Sequence, residues 1–250
     1  MAGHSKWKQI KRQKAVVDQR RAAVFTKLGR EITMAARLGG GDPDGNSRLR
    51  LAILKAREGN MPMDIIDRAI AKAVGDGDSS QLDEIVYEGY GPGGTAIMVE
   101  ALTDNRNRTV AELRNVLSRG GGNLGESGSV AWVFNTRGVL TINLPTGADA
   151  DEIALVAIDA GAEDFEVEDD GLTVYTKQED LESVRRALIE AGHEPESADI
   201  ARVPTNTVPL DEGAATQTLR LLDKIEDLDD VQRVYSNADF PDAVLAAFTG

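Results

Sequence analysis

Cysteine is absent from this 250-residue chain, and histidine occurs only as His4 and His193. Without cysteine there is no disulfide, no thiolate metal ligand and no cysteine nucleophile. Two histidines this far apart in sequence do not form a histidine metal cluster by themselves. No hydrophobic run approaches the roughly 18–20 apolar residues that span a bilayer. The basic start is not followed by the apolar segment of a secretory signal, so we expect a soluble, cytoplasmic protein without a membrane partner.

The sequence also lacks the common catalytic and nucleotide-binding motifs. It contains no G-x-x-x-x-G-K-[ST], no H-E-x-x-H and no G-x-S-x-G. The segment GYGPGG at 89–94 leads into a predicted strand, which favours a hairpin turn over a dinucleotide site. The acidic segment EDFEVEDDG at 163–171 does not have EF-hand spacing, and its alternation favours a strand. We therefore predict no catalytic residues, no metal, no cofactor and no small-molecule substrate, and hence a protein that is not an enzyme.

Charge is distributed unevenly along the chain, whose formal net charge is −14. Residues 1–80 contain 16 Lys and Arg against 9 Asp and Glu, a net charge of +7. Residues 81–250 contain 12 against 33, a net charge of −21. A basic segment at one end is typical of modules that bind a polyanion, and an acidic body repels nucleic acid from the remaining surface. An ordinary solvated charged face is the alternative interpretation.

Apolar periodicity predicts helices in the basic part of the chain. One apolar stripe recurs at helical spacing from Phe25 to Ala35, and the glycines at 39–41 end that helix. Two further helices follow, SRLRLAILKARE at 47–58 and one whose first turn contains Pro62. Three short helices with one basic surface predict a small helical bundle.

The period changes after residue 80. EIVYEGY, TAIMVEALTD and SVAWVF are predicted strands around the helix NRTVAELRNVLSRGG. The next segments follow the order β-α-β-β-α-β of a ferredoxin-like split βαβ unit, with its last strand near 194–203. TNTVPL and VQRVYSN are predicted strands on either side of a further helix, and they are expected to complete the sheet begun near residue 84.

The predicted fold class is α+β and multidomain, with an N-terminal helical bundle and two α/β domains of ferredoxin-like (split βαβ) character. The predicted domains are a basic helical domain at 1–80, a central α+β domain at 81–135 with 204–250, and an inserted ferredoxin-like α+β domain at 136–203.

The N-terminal arm is the first candidate binding region. Lys and Arg neutralise phosphates and release counterions, and a tryptophan among them offers a flat face for an unpaired base. The candidate nucleic-acid-binding residues of the arm are Lys6, Trp7, Lys8, Lys11, Arg12, Lys14, Arg20 and Arg21. Two alternatives stay open: Trp7 packs into the bundle, or the arm belongs to a mitochondrial presequence.

The second candidate region is TDNRNRTVAELRNVLSRGGGNLGESGSVAWVF at 103–134. Arg106 and Arg108 lie at the start of its predicted helix, where the helix dipole disfavours cations by a few tenths of a kcal/mol each. Their position becomes favourable if an anion such as a phosphate docks there, and Arg114 adds charge along the same helix. The glycines that follow allow close approach of a ligand to the backbone. A mobile loop without a partner is the alternative.

Six segments within the first 135 residues together resemble the YebC/PmpR family, which includes the mitochondrial translational activator of cytochrome oxidase. They are MAGHSKW, FTKLGREI, NSRLRLAILKARE with NMPMDIIDRAI, YEGYGPGG, LTDNRNRT and GGNLGESGSVAWVF. The resemblance implies a three-domain, non-enzymatic cytoplasmic protein, described in this family as a transcriptional regulator that binds promoter DNA. Some members resemble translation factors that act on the ribosome and ease synthesis through difficult stretches such as proline runs.

Carried onto this sequence, the resemblance implies functional roles for Lys6, Lys8, Lys11, Arg12, Lys14, Arg106 and Arg108. The chain departs from the family at Val16, Val17 and Asp18, where further basic residues are common, and this interrupts a continuous basic surface. The predicted function is a non-enzymatic, DNA-binding transcriptional regulator of the YebC/PmpR type. The alternative is a ribosome-associated translation factor that binds ribosomal RNA or tRNA, and the residues leave the choice between DNA and ribosomal RNA open.

Overall fold

The protein is described by a computed structural model over residues 21–75, 82–145, 147–168 and 171–248, with side chains from residue 24 onward. Within these ranges the helices are α1 (Arg21–Gly39), α2 (Ser47–Glu58), α3 (Met63–Val74), α4 (Arg106–Arg119), α5 (Ala150–Asp159), α6 (Leu181–Glu190), α7 (Glu212–Glu226) and α8 (Asp242–Ala247). The strands are β1 (Asp83–Tyr90), β2 (Ala96–Thr103), β3 (Asn123–Leu124), β4 (Phe134–Asn143), β5 (Asp164–Glu168), β6 (Gly171–Thr176), β7 (Ser197–Pro204), β8 (Val208–Pro209), β9 (Val231–Ser236) and β10 (Ala238–Asp239). No helix in these ranges is long and apolar enough to cross a membrane.

Helices α1, α2 and α3 pack around one apolar core, as their periodicity predicts. Ile32, Leu49 and Ile66 contribute one fully buried side chain from each helix. The turn between α1 and α2 is fixed by Asn46, whose Oδ1 accepts the backbone N–H of Leu49 at 3.0 Å. The Asn46 amide nitrogen donates to the carbonyl oxygens of Ala35 and Gly40, at 2.8 Å each. One buried side chain therefore begins α2 and ends α1.

A four-stranded antiparallel sheet follows, in the order β3-β1-β2-β9. Strands β1 and β2 are joined by the turn Pro92–Gly94, which needs glycine because Gly93 and Gly94 have φ of +69° and +77°. Helices α4 and α7 cover one face, where Leu117 and Leu219 are among the buried residues. Of the two strands that were expected to complete this sheet, VQRVYSN does so as β9 beside β2, whereas the strand within TNTVPL lies in a separate two-stranded sheet.

The second four-stranded sheet has the order β5-β6-β4-β7 and is antiparallel throughout. Its chain order is β4-α5-β5-β6-α6-β7, so the first and third strands lie in the middle, which is the ferredoxin-like arrangement. Helices α5 and α6 cover one face, with Leu140, Leu172 and Leu188 fully buried beneath them. The mixed α and β fold class predicted from the sequence is confirmed.

The segment SVAWVF was predicted as a strand, and this is wrong. Ala131–Val133 forms a single 3₁₀ turn, and β4 begins at Phe134 and continues without interruption to Asn143. The backbone N–H groups of Val130 and Ala131 donate to the Glu88 carboxylate and so are not available to a strand ladder. TNTVPL was predicted as a strand as well, and only Val208–Pro209 pairs, in parallel with β10.

Three apolar clusters lie apart from one another along the chain. One draws only on residues 25–73, the second on residues 140–198, and the third on residues 87–124 together with 208–248. Because a domain has its own hydrophobic core, we propose the division into 1–80, 81–135 with 204–250, and 136–203 that the sequence predicts.

Candidate nucleic-acid interface

The N-terminal arm lies outside the described residues. This applies to Lys6, Trp7, Lys8, Lys11, Arg12, Lys14 and Arg20. Arg21 is the first residue of α1, and its side chain is likewise outside the description. The assignment of these residues to nucleic-acid binding stays a prediction.

Arg106 and Arg108 lie in the first turn of α4, as the sequence predicts. Asn105 caps this helix, because its Oδ1 accepts the backbone N–H of Arg108 at 3.1 Å. The Nε of Arg106 donates to Oδ2 of Asp83 at 2.8 Å. This hydrogen bond lowers the pKa of Asp83 and raises the pKa of Arg106. Arg106 is nevertheless 65 % exposed, so one face of its guanidinium remains open to solvent.

Arg108 binds a carboxylate that comes from far along the chain. Its Nη2 donates to both Asp230 oxygens, at 2.9 and 2.8 Å, and to Asp104 Oδ1 at 2.8 Å. The Asp230 side chain is only 2 % exposed, and it also accepts the hydroxyls of Thr103 and Thr109, at 3.0 and 2.8 Å. Burial raises the pKa of Asp230, but the hydrogen bonds outweigh it, so the pKa lies below its ordinary value.

The start of α4 therefore contains the anions that its arginines were expected to attract. Carboxylates of Asp83, Asp104 and Asp230 occupy the places where a phosphate was predicted to dock. Arg114 lies further along α4 than Arg108, is exposed, and has no hydrogen bond or ion pair within the described residues. The nucleic-acid role of Arg106, Arg108 and Arg114 stays a prediction, and Arg108 has a structural role in addition.

Several cations of the helical bundle face the acidic remainder of the chain. Arg30 pairs with Asp230 Oδ1 at 2.9 Å, so two arginines from different parts of the protein share this carboxylate. Arg48 pairs with Glu31 at 2.9 Å within the bundle and with Glu84 of β1 at 3.0 Å. Two lysines extend this contact surface: Lys27 donates to the carbonyl oxygen of Glu226, and Lys55 pairs with Asp199. Part of the basic charge thus holds the bundle against the acidic body.

A second ionic network joins the two sheets. Arg202 of β7 donates to Glu100 of β2 at 3.1 Å, and the hydroxyl of Tyr235 lies 3.4 Å from the same carboxylate. Arg233 of β9 lies 3.6 Å from Asp199, which also pairs with Lys55. Burial raises the pKa of Tyr235 to about 12. Asp199 therefore connects the bundle, the ferredoxin-like unit and the central sheet.

The glycine-rich loop after α4 is folded around one glutamate. Oε1 of Glu88 accepts the backbone N–H of Gly128 at 2.7 Å, and Oε2 accepts those of Val130 and Ala131 at 2.7 and 2.8 Å. Burial raises the pKa of Glu88, but these three donors outweigh it and the pKa is lowered. Gly122 is required here, because a Cβ at this position would lie 2.2 Å from the Tyr90 carbonyl oxygen.

This loop presents a tryptophan to solvent. Trp132 is 72 % exposed, the highest value among the exposed large hydrophobic side chains of the described residues. Its indole N–H and the Tyr90 hydroxyl both donate to the Ser129 carbonyl oxygen, at 3.1 Å each. Sequence reasoning missed Trp132 because it was assigned to a strand, and it missed Glu88 and Asp230 because their partners are distant in sequence.

The described residues contain no group of three or more His, Cys, Asp or Glu side chains that is arranged to hold a metal ion. The carboxylates at the start of α4 are instead occupied by arginine and threonine donors. The groups that this region leaves exposed are the open face of Arg106, the Arg114 side chain and the Trp132 ring.

Two family models match most of this chain. Residues 5–76 match the TACO1/YebC protein N-terminal domain, and residues 82–238 match the TACO1/YebC second and third domain. The chain belongs to the TACO1/YebC family. The matched ranges of this family include the arm residues from Lys6 onward, the arginines of α4 and the loop that carries Trp132.

Relatives in the TACO1/YebC family cover nearly the whole chain. A protein of Moorella thermoacetica is 52 % identical over 98 % of each chain, and one of Thermomicrobium roseum is 55 % identical over 99 % of this chain and 100 % of its own. Both are named "Probable transcriptional regulatory protein". The crystal structure of a conserved hypothetical protein from Aquifex aeolicus is similar with a TM-score of 0.81 and 43 % identity, and covers 90 % of this chain and 93 % of that one.

Proposed function

We propose that this protein is a non-enzymatic regulator of gene expression that acts in the cytoplasm by binding nucleic acid, and that it is a DNA-binding transcriptional regulator. The observation that carries this proposal is its full-length similarity to relatives that are named as transcriptional regulatory proteins. The charge distribution supports it physically, because a basic end on an acidic body restricts polyanion binding to one part of the molecule.

The arm is the part of the basic segment that we assign to phosphate binding. Residues 6–20 contain six Lys and Arg and one Asp. The bundle follows the arm in the sequence. Four of its cations bind acidic groups or carbonyl oxygens of the body and are less available to phosphates, namely Lys27, Arg30, Arg48 and Lys55. Phosphate contacts made by the arm give affinity that is independent of base sequence and falls steeply with salt.

A ribosome-associated translation factor is the second candidate, and one observation favours it. Arg106 and Arg108, which a duplex would need as phosphate contacts on the body, already bind carboxylates of this chain. A long duplex lying along the molecule would meet these carboxylates and the net charge of −21 on residues 81–250. Unpaired regions of ribosomal RNA or tRNA require fewer aligned cations, since stacking contributes to their binding.

Charge reversal in the arm tests the proposal. Lys8→Glu with Lys11→Glu removes two phosphate contacts, so we expect nucleic-acid affinity to fall at least about tenfold near physiological salt. The slope of log affinity against log salt should decrease by about 2. Binding is measured by fluorescence anisotropy with DNA duplexes and with ribosomal RNA fragments, over a range of salt concentrations.

The matched control is Arg186→Glu with Arg220→Glu, which makes the same change in net charge at two exposed positions of α6 and α7. This control should retain wild-type binding. If both variants lose nucleic-acid affinity equally, the effect of the arm is one of net charge only. If the arm variant keeps wild-type affinity, the arm is not part of the binding site. Ultraviolet crosslinking in cells then separates the two candidates, because reads at promoters support transcription and reads on ribosomal RNA support translation.

A further inference from the structure

Trp132 has no packing role that explains its position. Its neighbours Val130 and Val133 are 1 % and 4 % exposed and anchor the turn against Met98, whereas Trp132 itself is 72 % exposed. Exposure of a ring of this size to water is unfavourable, at about 25 cal/mol for each Å² of apolar surface. Stability of the fold therefore does not account for a tryptophan here.

The ring is held in place by its surroundings. The Glu88 carboxylate fixes the backbone on either side of Ser129 with three hydrogen bonds, and the Ser129 carbonyl oxygen accepts the indole N–H at 3.1 Å. Because this geometry exists before a ligand arrives, binding does not incur the full entropic cost of ordering the loop. These hydrogen bonds keep the indole in one orientation, as is needed in a preorganised binding site.

The indole can offer only its faces to a ligand. Its single N–H donor is already used by Ser129, so the exposed part of the side chain is apolar and flat. A flat, exposed, fixed aromatic ring matches the face of an unpaired nucleobase, and stacking of one base on such a ring changes affinity by about 5- to 150-fold. Bases within a duplex are already stacked and do not present their faces.

An open polar groove begins three residues beyond Trp132 in the sequence, at Asn135 near the start of β4. Asn135 and Gln178 contribute amides that can donate to and accept from base edges, and Arg137 and Lys177 contribute positive charge. Glu163 and Glu179 also line the groove and balance this charge. Because the groove has no net charge, it suits the bases and sugars of a strand better than the phosphates.

We propose that Trp132 and this groove bind a short stretch of unpaired nucleotides, with one base stacked on the indole. The proposal rests on the nucleic-acid-binding function above and adds that the recognised strand is unpaired at this point. RNA and single-stranded DNA share this chemistry, and the two are compared in the test.

The test uses the full chain with Trp7→Phe, which leaves Trp132 as the single tryptophan, since the sequence contains two. This variant is titrated with four kinds of probe: a short single strand of RNA, a single strand of DNA of the same sequence, the corresponding duplexes, and a strand of equal length without bases. We expect quenching of Trp132 fluorescence by the single strands and not by the abasic strand. In the full chain that retains Trp7, Trp132→Ala should weaken single-strand binding about 5- to 150-fold, Trp132→Phe should retain most of the affinity, and duplex binding should not change.

Phe165→Ala is the matched control, because Phe165 is an exposed aromatic on β5 and its loss should leave affinity unchanged. Thermal unfolding shows that each variant is folded. If the wild-type protein binds the single strands and Trp132→Ala binds them equally well, the assignment of Trp132 is wrong and the proposed function still stands. Failure of the wild-type protein to bind any of the probes contradicts the proposed function itself.

Discussion

Asp230 is the residue on which three parts of the molecule depend. Its buried carboxylate receives Arg108 from α4, Arg30 from the bundle, and the hydroxyls of Thr103 and Thr109. Asp230→Asn removes the buried charge that Arg30 and Arg108 share, and leaves Arg108 with Asp104 as its carboxylate partner. We expect the free energy of unfolding to fall by about 3 kcal/mol, at the lower end for a broken buried pair because Arg108 is partly exposed. Urea denaturation measures this loss.

The neighbouring Asp229→Asn is the control for that variant. Its side chain is exposed and makes no ion pair within the described residues, so it should lie within about 0.5 kcal/mol of wild type. Equal effects of both substitutions would show that Asp230 acts only through net charge. Truncation of Arg108 would leave this buried carboxylate with one arginine, Arg30, in place of two, so it should reduce stability as well, and nucleic-acid binding by Arg108 needs a separate test.

At the scale of elements, the loop 120–133 is held by Glu88, and this predicts a pH dependence. The pKa of Glu88 is lower in the folded loop than its ordinary value, so its contribution is complete above about pH 4.3 and is lost as the pH falls through the folded pKa. Glu88→Gln should cost about 1–3 kcal/mol, because an amide cannot accept all three N–H groups. Hydrogen exchange at Gly128, Val130 and Ala131 should then become faster at neutral pH.

Glu126→Gln serves as the control, because Glu126 is exposed in the same loop and its carboxylate binds none of these three backbone groups. Exchange at the three amides should stay as in the wild type. If Glu88→Gln also left them protected, the loop would be held by its apolar anchors Val130 and Val133 and not by the carboxylate.

The same loop shows what a sequence can and cannot predict about an element. The helices of the bundle and α4 were predicted because their signals are local: an apolar stripe and a terminal glycine. The caps Asn46 and Asn105 that the structure shows lie directly beside these helices as well. SVAWVF has the composition of a strand, and its true structure is decided by Glu88, about 40 residues earlier in the chain. Long-range hydrogen bonds of this kind override local propensity and have no local signal.

At the scale of the whole molecule, the sequence showed where the charges are but not what they bind. The basic first 80 residues were interpreted as one surface for a polyanion. In the fold, Arg30, Arg48 and Lys55 are turned toward acidic residues of the body, and the arginines of α4 bind carboxylates of the same chain. Opposite charges that lie far apart in sequence meet only after folding, so their pairing cannot be read from composition.

Because ion pairs join the bundle to the body, its docking should depend on salt. Screening shortens the range of charge interactions from about 10 Å at 0.1 M salt to about 3 Å at 1 M. The chain has no cysteine, so Glu58→Cys and Glu126→Cys place one dye on the bundle and one on the central unit without other reactive thiols. We expect energy transfer between the dyes to decrease as salt rises.

Arg48→Glu should shift the fall in energy transfer to lower salt. The substitution removes the ion pair between Arg48 and Glu84 and puts two carboxylates next to each other, a change of about 1 kcal/mol at this partly exposed site. Adding Glu84→Arg should restore much of the wild-type response by reversing the pair. Arg68→Glu is the control, since Arg68 pairs with Asp64 within α3 and makes the same change in bundle charge without facing the body. Identical salt responses in the Arg48 and Arg68 variants would mean that apolar contacts hold the bundle in place. A selective shift in Arg48→Glu would instead mean that the Arg48–Glu84 pair helps to hold the bundle against the acidic body.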